Sequence, residues 1–202
     1  MRRFIILILF IVVGCIQIYA DEYIIYKGSA YKYNFLLKRF TDTQFLIKYS
    51  DEEKVYYLFS SDYISKQWIN ITSEQLDSIR KTIEKYFDWV KIATDNQVEI
   101  DKTIPDSEIN TSISWMYGDD WHSNDSFQLY FAVLSQDIKT HQLIISSNKV
   151  NSRTNQFISA KLETLYLNTD EAAALLNGIQ QDNIMEVGKE YQKKKSNQDL
   201  FK

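Results

Sequence analysis

One amphipathic helix stands in the middle of a chain that otherwise alternates like β-strand, and its apolar stripe can be covered only by a sheet. Thr72-Ser73-Glu74-Gln75 has the spacing of a capping box, with Thr72 as N-cap and Gln75 reaching back from the third helical position. Leu76, Ile79, Ile83, Phe87 and Val90 then recur at three- and four-residue steps, with Tyr86 beside them. Arg80, Lys81, Glu84, Lys85 and Asp88 take the opposite side, and the pattern runs out near Thr94-Asp95-Asn96.

The flanking segments supply the sheet. Short strands are expected at Glu22–Lys27 and Phe35–Phe40. Thr43–Tyr49 puts Phe45, Ile47 and Tyr49 on one face, and Lys54–Phe59 does the same with Val55, Tyr57 and Phe59. The polar residues 50–53 between them predict a hairpin. After the helix, Val98–Ile104 runs up to Pro105, the only proline, which marks a strand end or edge. Asn110–Tyr117 alternates cleanly. Ser126–Leu134 is apolar on both faces and is expected to be central, with His141–Ser147 and Gln156–Leu167 completing a meander. A second helix starts at Asn168 or Thr169, with Ala172, Leu175, Leu176 and Ile179 as its stripe. Gly178 weakens that helix by ~1 kcal/mol relative to Ala. The expected fold is α+β: an antiparallel sheet of about six to eight strands with two helices packed on one face.

Residues 1–20 read as an export signal. Arg2 and Arg3 form a basic start, Phe4 to Val13 is an unbroken apolar run, and Ala20 precedes Asp21-Glu22. Val12-Val13-Gly14-Cys15 resembles the lipobox of bacterial lipoproteins, which implies lipidation at Cys15. Three fates are open: cleavage after Ala20, lipidation of Cys15, or retention as a short anchor. The chain is therefore expected to be secreted, periplasmic or lipid-anchored at the envelope. Residues 21–188 form one α+β domain, and residues 189–202 form a loosely ordered polar tail.

Composition narrows the chemistry. The 202 residues carry one cysteine, and it lies inside the export segment, so disulfides and multi-thiolate metal sites are excluded downstream. A chain of this size buries about 70% of its unfolded surface and needs no staple. Removing residues 1–20 takes Arg2 and Arg3 and no acid, moving the formal net charge from −4 to −6. That acidic balance argues against nucleic-acid binding. No nucleophile elbow is present, and the glycines Gly28, Gly118, Gly178 and Gly188 are too scattered to cradle a phosphate. No cofactor is expected.

The most site-like segment is residues 118–125, read as a polar loop that gathers Asp119, Asp120, Trp121, His122 and Asp125. Its spacing departs from the calcium-loop pattern, and turn chemistry accounts for its Gly, Asp and Asn. The two histidines, His122 and His141, fall at opposite ends of one strand and are expected on the surface, too far apart to share a ligand. Trp68, Trp115, Trp121 and the 14 tyrosines could bind a sugar or apolar ligand, though strands favour aromatics in any case.

These observations point to an exported, non-enzymatic binding domain whose partner is a protein, a glycan or a small apolar ligand. Membrane contact is expected only through the N-terminal segment. Two alternatives remain open. One is a carrier with a cavity between sheet and helix. The other is an envelope-polymer hydrolase using Asp119, Asp120 and His122.

Overall fold

The computed structural model of the protein describes residues 22–34, 36–61 and 66–199. The export segment, Cys15 and the three fates assigned to them lie outside those residues.

Strands β1 (Glu22–Asn34), β2 (Arg39–Ser50), β3 (Val55–Ser61) and β4 (Lys66–Ile71) run up and down before helix α1 (Ser73–Asn96). Next come β5 (Asp101–Thr103), β6 (Ile109–Tyr117), β7 (Asp120–Ser135) and β8 (His141–Ser147). The short β9 (Val150–Asn151) and β10 (Ser159–Ala160) pair with each other. Strand β11 (Leu165–Leu167) then leads into α2 (Thr169–Gly178) and α3 (Gln181–Asp199).

The antiparallel sheet is not the open layer expected from the sequence. Its order is β7-β6-β4-β3-β2-β1-β11-β8, and β8 pairs back onto β7, so eight strands close into a barrel. β5 extends the β6 side of β7 beyond the point where β6 begins. Strand twist brings the first and last strands of a long meander together. Here β11 meets β1 through the single pair Tyr31–Tyr166. Closure turns one face of the sheet inward as the core and leaves the other as the outer wall, and the helices close one end of the barrel instead of forming a layer.

Up-and-down strands place alternate connections at opposite ends. One end, here the helical end, receives Glu22, the β2–β3 turn, α1, the β7–β8 turn, α2 and α3. The other, the loop end, receives the β1–β2 and β6–β7 turns, the end of β3, the start of β4 and the whole stretch between β8 and β11.

Helix α1 forms as its sequence dictates. The N–H of Gln75 donates to Thr72 Oγ1 (3.3 Å), and the N–H of Thr72 donates to Gln75 Oε1 (2.8 Å), completing the capping box. Leu76, Ile79, Ile83 and Tyr86 are buried against the barrel, and Gln97 ends the helix in the left-handed region at φ 55°. The void between helices and strands is lined only by apolar side chains, among them Ile47, Leu58, Leu76 and Phe131. It measures about 20 Å³. The interior at this end is a packed core.

Two glycines explain how α2 docks. A Cβ at Gly28 would collide with the tip of the Tyr26 ring, and one at Gly178 would collide with its Cδ2 edge. Tyr26 therefore lies in a slot between β1 and α2 that only glycine leaves open. The residue that weakens α2 as an isolated helix is the one that lets it seat. Beyond it, Tyr191 of α3 stacks on Tyr23 at 5.0 Å, and Tyr23 meets Tyr49 edge-on at 5.5 Å. These contacts hold α3 as a helix through Asp199, where the sequence predicts a loose tail.

Several strand limits also shift. Phe35–Phe40 is the β1–β2 turn region instead of a strand, with Phe35 outside the described residues. Gln156–Leu167 breaks into β10 and β11. Residues 118–125 are not a loop: Gly118 and Asp119 alone make the turn, and β7 begins at Asp120.

Candidate functional site

The loop end is where the chain leaves chemistry exposed, and each turn there has its own cause. In the β6–β7 hairpin, Tyr117 pairs with Asp120 across Gly118-Asp119, and Gly118 takes the positive φ of 62° that tight hairpin turns demand. A bulge then decides which side chains enter the barrel. Ile113 pairs with Asn124 but Thr111 pairs with Phe127, so β7 carries one extra residue at 125–126. Alternation counted back from Phe127 would place Trp121 inside. The bulge reverses it, burying His122 and leaving Trp121 outward at 54% exposure.

The five residues singled out in the sequence are thus distributed along one strand instead of gathered in a loop. Asp119 sits in the turn, and Asp120 is exposed beside the tip on the face of His122. Trp121 lies on the opposite face, and Asp125 pairs with Arg153 of the segment beyond β9. Among the described residues, no group of three or more His, Cys, Asp or Glu could hold a metal ion.

Both histidines are buried, against the expectation of surface positions. The barrel encloses the strand faces that an open sheet would leave to solvent. Register places His141 opposite Ser135, at the far end of β7 from His122. His141 has both ring nitrogens within reach of hydroxyls, Nδ1 to Ser135 Oγ (2.7 Å) and Nε2 to Thr94 Oγ1 (3.4 Å). His122 has Nδ1 at 3.1 Å from Ser152 Oγ, but among the described residues its Nε2 has no partner. Its ring lies 5.8 Å from that of Trp115, whose Nε1 is also buried and without a partner among them. An unsatisfied buried polar group costs about 1–3 kcal/mol, and two lie side by side in this corner, against one among the described residues at the helical end, Gln142 Oε1.

The β1–β2 hairpin carries the most exposed large apolar residue among the described residues, Leu36. β3 pairs only with Phe45–Ser50 of β2, so β2 from Gln44 to Arg39 continues as a ribbon with β1. Six residues carry it about 20 Å further. Asn34 Oδ1 accepts the N–H groups of Leu36 (3.0 Å) and Leu37 (2.9 Å), and Lys38 adopts φ 49°. This side-chain-made turn fixes the tip without packing its side chains. Leu36 is 95% exposed and Leu37 55%. Just below, on the outer face, Phe40 meets Tyr33 at 5.4 Å and Tyr166 at 4.9 Å, both edge-on. Beside this collar lies a cleft of about 240 Å³ lined by Lys32, Lys161, Glu163 and Tyr166 among others, with Lys32 Nζ 2.5 Å from Glu163 Oε2.

The stretch between β8 and β11 covers the interior from this side. Gln67 of β4 donates from Nε2 to the Lys161 carbonyl (3.3 Å), and the Leu162 N–H donates to Ser147 Oγ (2.9 Å). Leu162 is buried, whereas Phe157, in the turn between β9 and β10, is 88% exposed.

Elsewhere the aromatics have structural employment. Trp68 lies on the outer wall against Phe59 (4.5 Å) and Tyr57 (6.0 Å), with Lys48 Nζ 4.8 Å from its ring. Burial, reinforced by a hydrogen bond to Glu53, pushes the Tyr57 hydroxyl well above its ordinary pKa. A second cleft, about 320 Å³, lies between the end of α1 and β5 and is lined by Trp89, Ile92, Val98 and Ile100 among others.

No protein-family model matches the chain, and no curated protein or solved structure does either.

Sequence reasoning missed Leu36, Leu37, Phe40 and Phe157. A signal was present for the first two: Phe35-Leu36-Leu37 is a consecutive apolar run directly followed by Lys38-Arg39. In a two-faced strand such a run cannot be buried on one side. It fits a tip better than a strand.

Proposed function

We propose that the chain is an exported binding domain whose contact surface is the loop end of the barrel. One observation carries this reading. Among the described residues, the large exposed aromatics are Tyr33, Phe40, Tyr117, Trp121 and Phe157, and all five belong to loop-end turns or the strand residues beside them. The exposed apolar residues elsewhere, such as Ile92, Val98 and Met185, are aliphatic. Aromatics held on turns above a rigid barrel supply large contact area at small entropic cost, which is how recognition surfaces are built.

The carrier alternative finds less support. Ligand cavities are enclosed and occupy about 300 Å³ or more; the void beneath α1 and α2 is about 20 Å³, and the apolar cleft of about 320 Å³ between α1 and β5 is an open surface cleft whose Ile92 and Val98 are exposed. The hydrolase alternative would have to work from Asp120 and His122, which share a face of β7.

A glycan array and a panel of lipid vesicles, probed with the wild type and with a Leu36→Ser/Trp121→Ser/Phe157→Ser variant, test the proposal. Binding that the variant loses while keeping its circular dichroism and melting point supports the loop end. Equal binding by wild type and variant overturns it, as does loss of binding in Ile92→Ser/Val98→Ser instead.

A further inference from the structure

We infer that the β1–β2 tip docks on an anionic lipid surface. The inference rests on the binding-domain reading and names the partner for one part of the loop end. It adds a folded membrane contact to a chain whose sequence predicts such contact only through its N-terminal segment.

Three layers of chemistry lie in order along the hairpin. The crown is Leu36 and Leu37, presented to solvent by a turn that Asn34 builds. Lys38 and Arg39 follow immediately, both exposed. The collar is Tyr33, Phe40 and Tyr166, packed edge-on against one another. A bilayer offers a partner for each: hydrocarbon for the leucines, anionic phosphates that the long side chains of Lys38 and Arg39 reach by snorkelling outward, and a headgroup zone where amphipathic aromatics settle. The hairpin runs on past its pairing with β3, with Tyr166 of β11 beside it as far as Phe40, so residues 36–39 are the part that enters the headgroup region while the barrel stays in water.

Charge around the tip agrees. Lys32 and Lys161 stand at the adjoining cleft; the acids nearby are Glu163, which pairs with Lys32, and Asp42, which lies opposite Tyr31 further down the ribbon. The whole chain is acidic, at formal net charge −4, so the attraction is local to this corner. Asp119 and Asp120 keep the β6–β7 turn out of an anionic surface, and insertion is therefore one-cornered, with Trp121 remaining in water.

The geometry also sets a direction. Glu22, where the described chain starts, is at the helical end, about 40 Å from the tip along the 13 residues of β1. A chain held by its N-terminal segment would present the tip away from the anchoring membrane. A released chain could bring it to either.

The test places an environment-sensitive fluorophore on the full chain by Leu36→Cys. It uses a Cys15→Ser background, since Cys15 is the only native thiol. A parallel label at Ile92→Cys reports on the helical end. Phosphatidylcholine vesicles with and without phosphatidylglycerol are the probes. The expected result is a blue shift and a severalfold rise at position 36 with the anionic vesicles, weaker with phosphatidylcholine alone and reversed by salt. Position 92 stays silent. Lys38→Glu/Arg39→Glu should lower the apparent vesicle affinity about tenfold or more. Silence at position 36 overturns the inference. So does an equal response at positions 36 and 92, because the N-terminal segment would then be doing the binding. If position 36 is silent while a glycan-array signal still depends on Trp121 and Phe157, the lipid contact falls and the binding-domain reading stands.

Discussion

The two ends of the barrel solve the same problem, how to close a sheet, in opposite ways. The helical end closes by packing: the described void beneath α1 and α2 is about 20 Å³, and His141 has a hydroxyl at each ring nitrogen. The loop end closes by crossing. Backbone between β8 and β11 spans the opening, and Gln67 reaches over to it. Among the described residues, buried side-chain atoms without a hydrogen-bond partner occur at both ends, His122 Nε2 and Trp115 Nε1 here and Gln142 Oε1 beside His141. A protein needs only one end to be stable. The difference teaches that stability has been concentrated where the helices are, leaving turns elsewhere free to carry exposed aromatics and leucines.

The largest effect that would break this comparison is a core deletion. Ile83→Ala, at a fully buried position of α1, should cost about 2–5 kcal/mol, while Leu36→Ser should stay within about 0.5 kcal/mol. Chemical denaturation of both variants measures it. Comparable losses would mean that the tip is part of the core network after all.

A sharper probe uses Gly178. On helix propensity alone, Gly178→Ala would stabilise α2 by ~1 kcal/mol. Because its Cβ would collide with Tyr26, we expect a net loss of about 1–3 kcal/mol instead. Tyr26→Ala in the same chain should remove most of the penalty specific to Gly178. The double-mutant cycle reads that coupling, and simple additivity would contradict the slot between β1 and α2.

A smaller effect appears with pH. Burial raises the hydroxyl pKa values of Tyr23, Tyr26, Tyr56 and Tyr86 above 10.0, with neighbouring Tyr49 adding to Tyr23 and Glu171 to Tyr26. Unfolded tyrosines lose protons near 10.0, whereas the folded ones keep them. The stability tied to these protons is fully present below pH 10.0 and is lost as pH rises through the folded values. The last part of the tyrosinate absorbance should therefore appear together with loss of helical circular dichroism. Complete tyrosinate absorbance with the helices intact would contradict the placement of these rings.

Much of the fold was legible because local signals agreed with tertiary need. The Thr72 capping box, the stripe from Leu76 to Tyr86, the hairpin over Thr43–Phe59 and the central strand Ser126–Leu134 all follow from periodicity. Closure was not legible: its seam is one pair, Tyr31 with Tyr166, and no local pattern encodes a contact between such distant segments. The burial of His122 was hidden by the bulge at 125–126, which reverses alternation without leaving a mark in composition. The docking of α2 was hidden because Gly178 is unfavourable locally and required only once Tyr26 is in place. The hairpin tip could have been found, since three apolar residues followed by Lys38-Arg39 suit neither a strand interior nor a solvated loop.

The division between a stabilising end and a binding end is tested most directly by native-state amide hydrogen exchange on the full chain, alone and with phosphatidylglycerol-containing vesicles. The account predicts the slowest exchange in α1, β7 and β8, and vesicle-induced protection confined to residues 31–40 and the adjoining Tyr166. Fast exchange in α1, or vesicle-induced protection centred on α1 to α3, would contradict it.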